Sequence, residues 1–183
     1  LDSSPPSSRR IHMSHIVILV ASLGKNVELG AELEKIVRSE GGTPEVINLV
    51  ELELPLYSTT AEAAGIPQAA KELTATLSKC SGMIVIAPEY NGSTPPALVN
   101  AISWVSRSTE GADWRKAFNG KPAVIGTHSG GGGAHVLVAM RLQLSFLGVN
   151  VLGRQLLTNF GKPLNPESAE TVVSELIQLG ASR

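Results

Sequence analysis

Five short apolar runs, most of them rich in β-branched residues and each followed by a stretch with a helical repeat, constrain this chain more than any other feature. Residues 15–21 (HIVILVA), 83–87 (MIVIA) and 123–127 (AVIGT) are nearly continuous apolar runs, as expected of strands buried on both faces. Residues 45–49 (EVINL) and 149–157 supply two more strands. Residues 26–40, 67–79, 96–106, 136–147 and 166–179 read as helices. Leu29, Leu33, Ile36 and Val37 share one face of the first, Leu98, Ile102 and Val105 line the third, and Ala169, Val172, Val173, Leu176 and Ile177 follow the repeat in the last. Gly41 and Gly42 stop the first helix, and Pro67 opens the second where its missing N–H costs little. Residues 50–65 and 111–120 read as long connections. Strands alternating with helices predict parallel neighbours joined by right-handed crossovers. The expected fold is therefore α/β: a doubly wound, five-stranded parallel sheet in three layers, forming a single domain over 14–183.

Composition narrows the partners. With 17% charged residues and a net charge of -1, the chain lacks the electrostatic footprint of a nucleic-acid or anionic-membrane binder. No run approaches the roughly 20 apolar residues that span a bilayer. The single cysteine, Cys80, gives neither a disulfide framework nor a cysteine metal cluster, and a reducing cytoplasm is the expected location. Residues 1–13 (LDSSPPSSRRIHM) are rich in Ser, Pro and Arg without apolar periodicity. They read as an expression leader ahead of a native start at Met13, or as a disordered arm.

Ligands of doubly wound sheets bind at the carboxyl ends of the strands. Three strands here end in polar, glycine-rich loops: 21–26 (ASLGKN), 88–96 (PEYNGSTPP) and 128–133 (HSGGGG). The first leads into a helix N-terminus, whose unpaired N–H groups and dipole suit a phosphate, with Ser22 and Asn26 as further donors and Lys25 as a charge. It also fits a plain polar turn with Asn26 as helix cap. Its spacing matches neither Gly-x-Gly-x-x-Gly nor a triphosphate loop, so a dinucleotide fold is unsupported. In the second loop Glu89, Tyr90 and Asn91 offer an aromatic face and polar groups. Gly92 allows close backbone approach, and Pro95 and Pro96 stiffen the exit, a combination suited to a flat heteroaromatic ring or to a rigid turn. The four glycines of the third loop fit main chain wrapped around a ligand edge, a moving loop, or simple flexibility.

The segment PEYNGSTPPALVNAISW (88–104) closely resembles the signature of the NADPH-dependent FMN reductases, a flavodoxin-like family of flavin, quinone, chromate and azo-dye reductases. The resemblance extends over about 15–180, through the phosphate loop, the Pro-Leu-Tyr segment at 55–57 and the glycine-rich loop. It implies FMN and NADPH (or NADH) as cofactors and a small-molecule acceptor: free flavin, a quinone, an azo compound or a metal oxyanion. It also implies a homodimer or homotetramer with flavin near an interface. Position by position, it places Ser22, Leu23, Gly24, Lys25 and Asn26 around the FMN phosphate. Pro88, Glu89, Tyr90, Asn91 and Gly92 would line the isoalloxazine, and Ser129, Gly130, Gly131 and Gly132, with His128 beside them, would face its pyrimidine side. Asn100 and Trp104 match family positions, either as helix packing or as subunit contacts. The family often carries Gly-Ser-Leu-Arg followed by Ser and Asn. Here Gly24 stands at the arginine and Val27 at the later serine, so Lys25 is left as a point charge and the flavin is expected to be exchangeable.

Such chemistry belongs to the cofactor, so no catalytic side chain and no metal ligand are expected. A flavodoxin-type electron carrier without its own turnover is the main alternative, disfavoured because carriers of that type are usually acidic. Residues 127–131 (THSGG) also approximate the nucleophile elbow of a serine hydrolase. That fold requires a histidine after the serine and an acid, and the only histidine after Ser129 is His135, at the start of the next helix. His15 and His128 read as strand-edge residues.

Overall fold

The computed structural model describes residues 14–109 and 113–182. The leader read at 1–13, and Gly111 and Ala112 of the 111–120 connection, lie outside the described residues.

Strand β1 (His15–Val20) sits between β2 (Thr43–Asn48) and β3 (Gly82–Ile86), with β4 (Pro122–His128) beyond β3. All these pairs are parallel. The alternation of side chains across the pleat divides the core in two. Ile16, Ile18, Val20, Ile84, Ile86 and Val124 face helices α1 (Lys25–Ser39) and α6 (Pro166–Ala181). Val17, Leu19, Met83, Val85, Ala123 and Ile125 face α3 (Gln68–Lys79), α4 (Pro96–Arg107) and α5 (Ala134–Phe146). The sheet is therefore the middle of three layers, and the near-continuous apolar runs are the strands covered on both sides.

Two features differ from the sequence reading. The connection at 50–65 contains a short helix, α2 (Thr59–Ala63), capped by the Ser58 hydroxyl, which accepts from the N–H of Ala61 at 3.0 Å. Its five residues are too few for a helical repeat to register. The fifth strand is also broken. It consists of β5 (Asn150–Val151) and β6 (Leu156–Thr158), both parallel to β4. At the break the Arg141 guanidinium donates to the carbonyls of Val151 at 3.2 Å and Leu152 at 2.8 Å. A cation from α5 thus satisfies backbone acceptors near the interruption, so the ladder can stop there.

The order β2-β1-β3-β4-β5 is that of flavodoxin-type sheets. The direction in which successive strands are added reverses between β1 and β3, and the loops following those two parallel strands open at the same edge.

Candidate functional site

At the carboxyl edge the first loop begins with Ser22. Its hydroxyl accepts from the Gly24 N–H at 3.1 Å, and its carbonyl accepts from Asn48 Nδ2 at 3.0 Å. Gly24 is the N-cap of α1 and gives it no side-chain cap. The Val27 N–H donates to the Gly24 carbonyl at 2.8 Å, while the amides of Lys25 and Asn26 begin the helix without an intrahelical acceptor, which leaves them for an anion. Two residues read as phosphate donors are engaged elsewhere. Lys25 Nζ lies 2.9 and 2.8 Å from the two carboxylate oxygens of Glu28. Asn26, only 2% exposed, donates from Nδ2 to the His128 carbonyl at 3.0 Å and accepts at Oδ1 from the His128 N–H at 2.7 Å. Asn26 is therefore a clamp between the first and third loops. Leu23 and Val27 are exposed beside it.

In the second loop, Tyr90 and Ser93 exchange two backbone hydrogen bonds, both 3.0 Å. Asn91 and Gly92 between them have φ of 51° and 71°. Two positive φ values in an Asn-Gly pair mark a type I′ turn, which the dipeptide itself signals. The turn leaves the Tyr90 ring exposed. Glu89 points the other way. Its N–H donates to Ser129 Oγ at 2.7 Å, and its carboxylate accepts from the N–H groups of His135 at 3.0 Å and Val136 at 3.2 Å. Read as a lining residue of the ring, Glu89 instead caps α5 across 46 residues, and only its backbone is left to face a ligand. Burial alone would push its carboxyl up, but the Val136 N–H, the His135 ring and the His135 N–H together hold it below the usual carboxylate value.

The third loop is held from below. Ser129 Oγ lies 2.9 Å from Thr127 Oγ1, and the Ser129 N–H donates to the Thr158 carbonyl at 3.2 Å. With its hydroxyl committed to Glu89 and Thr127, Ser129 can offer a ligand little beyond main chain. The Thr158 hydroxyl donates its one hydrogen to the Thr127 carbonyl at 2.9 Å, so it accepts from His128 Nδ1 at 3.1 Å. His128 then carries its proton on Nδ1. Its Nε2 is the one buried side-chain polar atom among the described residues without a partner. The His128 ring stands edge-on to Phe160, at 5.2 Å between centroids, in a cleft of about 280 Å³ that Lys25 also lines.

The glycines define the open volume. A Cβ placed at Gly92, Gly131 or Gly132 would meet no atom within 4 Å. Gly133, at φ 78°, is different: a Cβ there would stand 2.6 Å from Thr127 Cγ2, so the chain can enter α5 only through a glycine. The three loops therefore form a shallow, hydrogen-bonded rim around space bounded by main chain.

Asn100 and Trp104, left open between packing and subunit contact, hold the 54–57 segment against α4. Asn100 Oδ1 accepts from the Tyr57 N–H at 2.8 Å, and its Nδ2 donates to the carbonyls of Leu54 and Pro55 at 3.2 and 3.1 Å. Trp104 Nε1 donates to the Pro55 carbonyl at 2.7 Å, and Tyr57 packs edge-on to the indole. A cavity of about 480 Å³ lies further along α4, lined by Tyr57, Arg107, Trp114 and Phe146. It has none of the three loops in its wall, and the loops are the better candidate because they carry the anion-binding amides.

A flavodoxin-type sheet with an uncapped helix N-terminus and glycine-rich loops at its switch point defines a mononucleotide-binding α/β protein. The family model for NADPH-dependent FMN reductase matches residues 14–162, and the chain belongs to that family of enzymes. It is 31% identical over 143 residues to a quinone reductase of Escherichia coli K12, covering 76% of this chain and 73% of the relative. It is 35% identical over 103 residues to an NAD(P)H-dependent FMN reductase of Pseudomonas aeruginosa, covering 55% and 53%. Among solved structures, the flavoenzyme NAD(P)H:(acceptor) oxidoreductase FerB of Paracoccus denitrificans superposes with a TM-score of 0.73 at 20% identity, covering 93% of this chain and 98% of that one. An archaeal flavodoxin superposes with a TM-score of 0.64 at 10% identity, covering 92% and 99%. These two likenesses show the fold. Among the described residues no helix is long and apolar enough to cross a membrane.

Proposed function

We propose that this protein binds FMN across the three loops and catalyses two-electron transfer from NADPH or NADH to a small acceptor, with quinones as the favoured class. The observation that carries the reading is the joined rim. Asn26 ties the first loop to the third, and Ser129 and Glu89 tie the third to the second. Gly92, Gly131 and Gly132 present open main chain beside these ties. Quinone as acceptor is supported by relatives named quinone reductase, and by a 2-hydroxy-1,4-benzoquinone reductase of a Burkholderia species that is 37% identical over 78 residues.

The residues present fit FMN. The first-turn amides of α1 and the Ser22 hydroxyl would hold the phosphate. The Tyr90 ring and the backbone of the Asn91-Gly92 turn would flank the isoalloxazine, and the amides at Gly130 and Gly131, with the main chain of Gly132 whose N–H donates to the Ser129 carbonyl at 3.3 Å, would face its pyrimidine edge. Bound FMN supplies the redox chemistry; the protein supplies position and polarity. Amides directed at the pyrimidine edge favour negative charge there, which assists reduction. With Gly24 and Val27 in the loop and Lys25 turned to Glu28, few side chains reach the phosphate, so the FMN exchanges.

Val138, Leu142 and Phe146 are exposed at four-residue intervals along α5. This stripe supports self-association as a homodimer or homotetramer, and the lone buried Cys80 suits a reducing cytoplasm. FMN titration followed by fluorescence quenching, then anaerobic addition of NADPH or NADH, tests the reading. Loss of the visible flavin band, and its return on adding a quinone, is the expected result. FMN that binds but is never reduced would make the protein a carrier instead.

A further inference from the structure

The reading above gives the protein no acid or base, yet one ionisable ring stands at the rim of the three loops. His135 is the second residue of α5, two positions past the glycine run. Its side chain is 77% exposed, while that of its partner Glu89 is 13% exposed. The Glu89 carboxylate fixes this histidine twice: it accepts from the His135 N–H at 3.0 Å and lies 3.4 Å from ring Nδ1. The Glu89 N–H is in turn bonded to Ser129 of the third loop. The imidazole is thus within two hydrogen bonds of both loops that would flank the flavin ring. Its Nδ1 faces a carboxylate, and its Nε2 has no partner among the described residues.

A ring held at Nδ1 by a carboxylate, with Nε2 open to solvent, is the arrangement that delivers a proton. We propose that His135 is the general acid for reduction of a quinone-type acceptor at this edge. The inference rests on the FMN-reductase reading. A quinone needs two electrons and two protons to become a hydroquinone. One hydrogen arrives with the electron pair as hydride from the reduced cofactor. The other is the Nε2 proton of the His135 imidazolium, which passes to a carbonyl oxygen and leaves neutral imidazole to be reprotonated by water. Glu89 is a positioning residue here: it orients the ring and balances the imidazolium charge. Residues 129–134 and 136–140 carry no ionisable group, Tyr90 is the other exposed titratable side chain of the second loop, and His128 turns to Thr158 and Phe160.

The test compares wild type with His135→Gln, using benzoquinone and ferricyanide as acceptors. Ferricyanide takes single electrons and no proton, so it reports cofactor reduction and access without the acid. The quinone-to-ferricyanide rate ratio falls about tenfold or more in the variant, within the usual range for a lost general acid. A second reading needs no cofactor: nitrogen-15 spectra of the apoprotein show neutral His135 as the Nδ1–H tautomer, and Glu89→Gln weakens that preference. Equal loss with both acceptors, an unchanged ratio, or an Nε2–H tautomer overturns the proposal. A wild-type protein that reduces neither acceptor refutes the reductase reading itself, and this inference with it.

Discussion

Asn26 and His128, 102 residues apart in the chain, exchange two hydrogen bonds at 3.0 and 2.7 Å. The amide of one side chain satisfies both backbone groups of the residue that ends β4. This makes the loop before α1 and the glycine-rich loop a single unit, and it explains why a polar side chain on the inner face of α1 is almost wholly buried.

Asn26→Ala removes both partners and leaves the His128 N–H and carbonyl unpaired, at a cost of about 2–4 kcal/mol. Urea denaturation measures that loss. FMN affinity falls in the same variant because two of the three loops are no longer registered. A variant with unchanged midpoint would show that water replaces the clamp.

Gly131 and Gly133 separate space from backbone strain. Gly131→Val adds side chain where no atom lies within 4 Å, so the unfolding midpoint stays close to wild type. FMN binding weakens at least about tenfold if the cofactor fills that space, a loss of about 1.4 kcal/mol. Gly133→Ala instead forces a Cβ against Thr127 at positive φ and destabilises the fold by about 1–3 kcal/mol. Equal effects of the two on folding would contradict this division.

Glu89→Gln changes the acid response. The Glu89 carboxyl is depressed in the folded protein, because hydrogen bonds from α5 and His135 outweigh its desolvation. A depressed carboxyl adds stability that is fully present above the unfolded-state value and lost as pH falls through the folded-state value. The wild type is therefore the more stable protein at neutral pH, and its advantage shrinks on acidification below about pH 4.5. Thermal melts across the acid range measure it; a difference that does not vary with pH would leave helix capping without its charge.

Trp104→Phe keeps the aromatic packing against Tyr57 and deletes the bond to the Pro55 carbonyl. The expected cost is about 1 kcal/mol. Limited proteolysis then cuts more readily near Leu56, which is exposed in the clamped segment. No change in cleavage would assign the 54–57 segment's order to Asn100 alone.

Periodicity and loop chemistry made the layered sheet and the three loops legible, because strands buried on both faces leave unbroken apolar runs such as 83–87. The break in the last strand was hidden, since Arg141, which satisfies carbonyls there, lies on a different element. The same limit explains the reassigned side chains. Asn26, Glu89 and Ser129 were read as facing a ligand, because a polar residue in a loop carries no mark of which long-range partner it will take. In sequence His135 registers only as the histidine that follows Ser129, because its partner Glu89 lies 46 residues away. The rigid turn offered as an alternative for the second loop is present at Asn91-Gly92, where both φ values are positive.

The central claim is that FMN binds in the glycine-bounded rim and is reduced there by a nicotinamide. Its most direct measurement is anaerobic titration of the FMN-loaded protein with NADPH and NADH, followed by visible absorption. The expected result is quenched FMN fluorescence on loading, stoichiometric bleaching by at least one nucleotide, and recovery on adding benzoquinone. FMN fluorescence that is not quenched by the protein, and a flavin band that neither nucleotide bleaches, would contradict it.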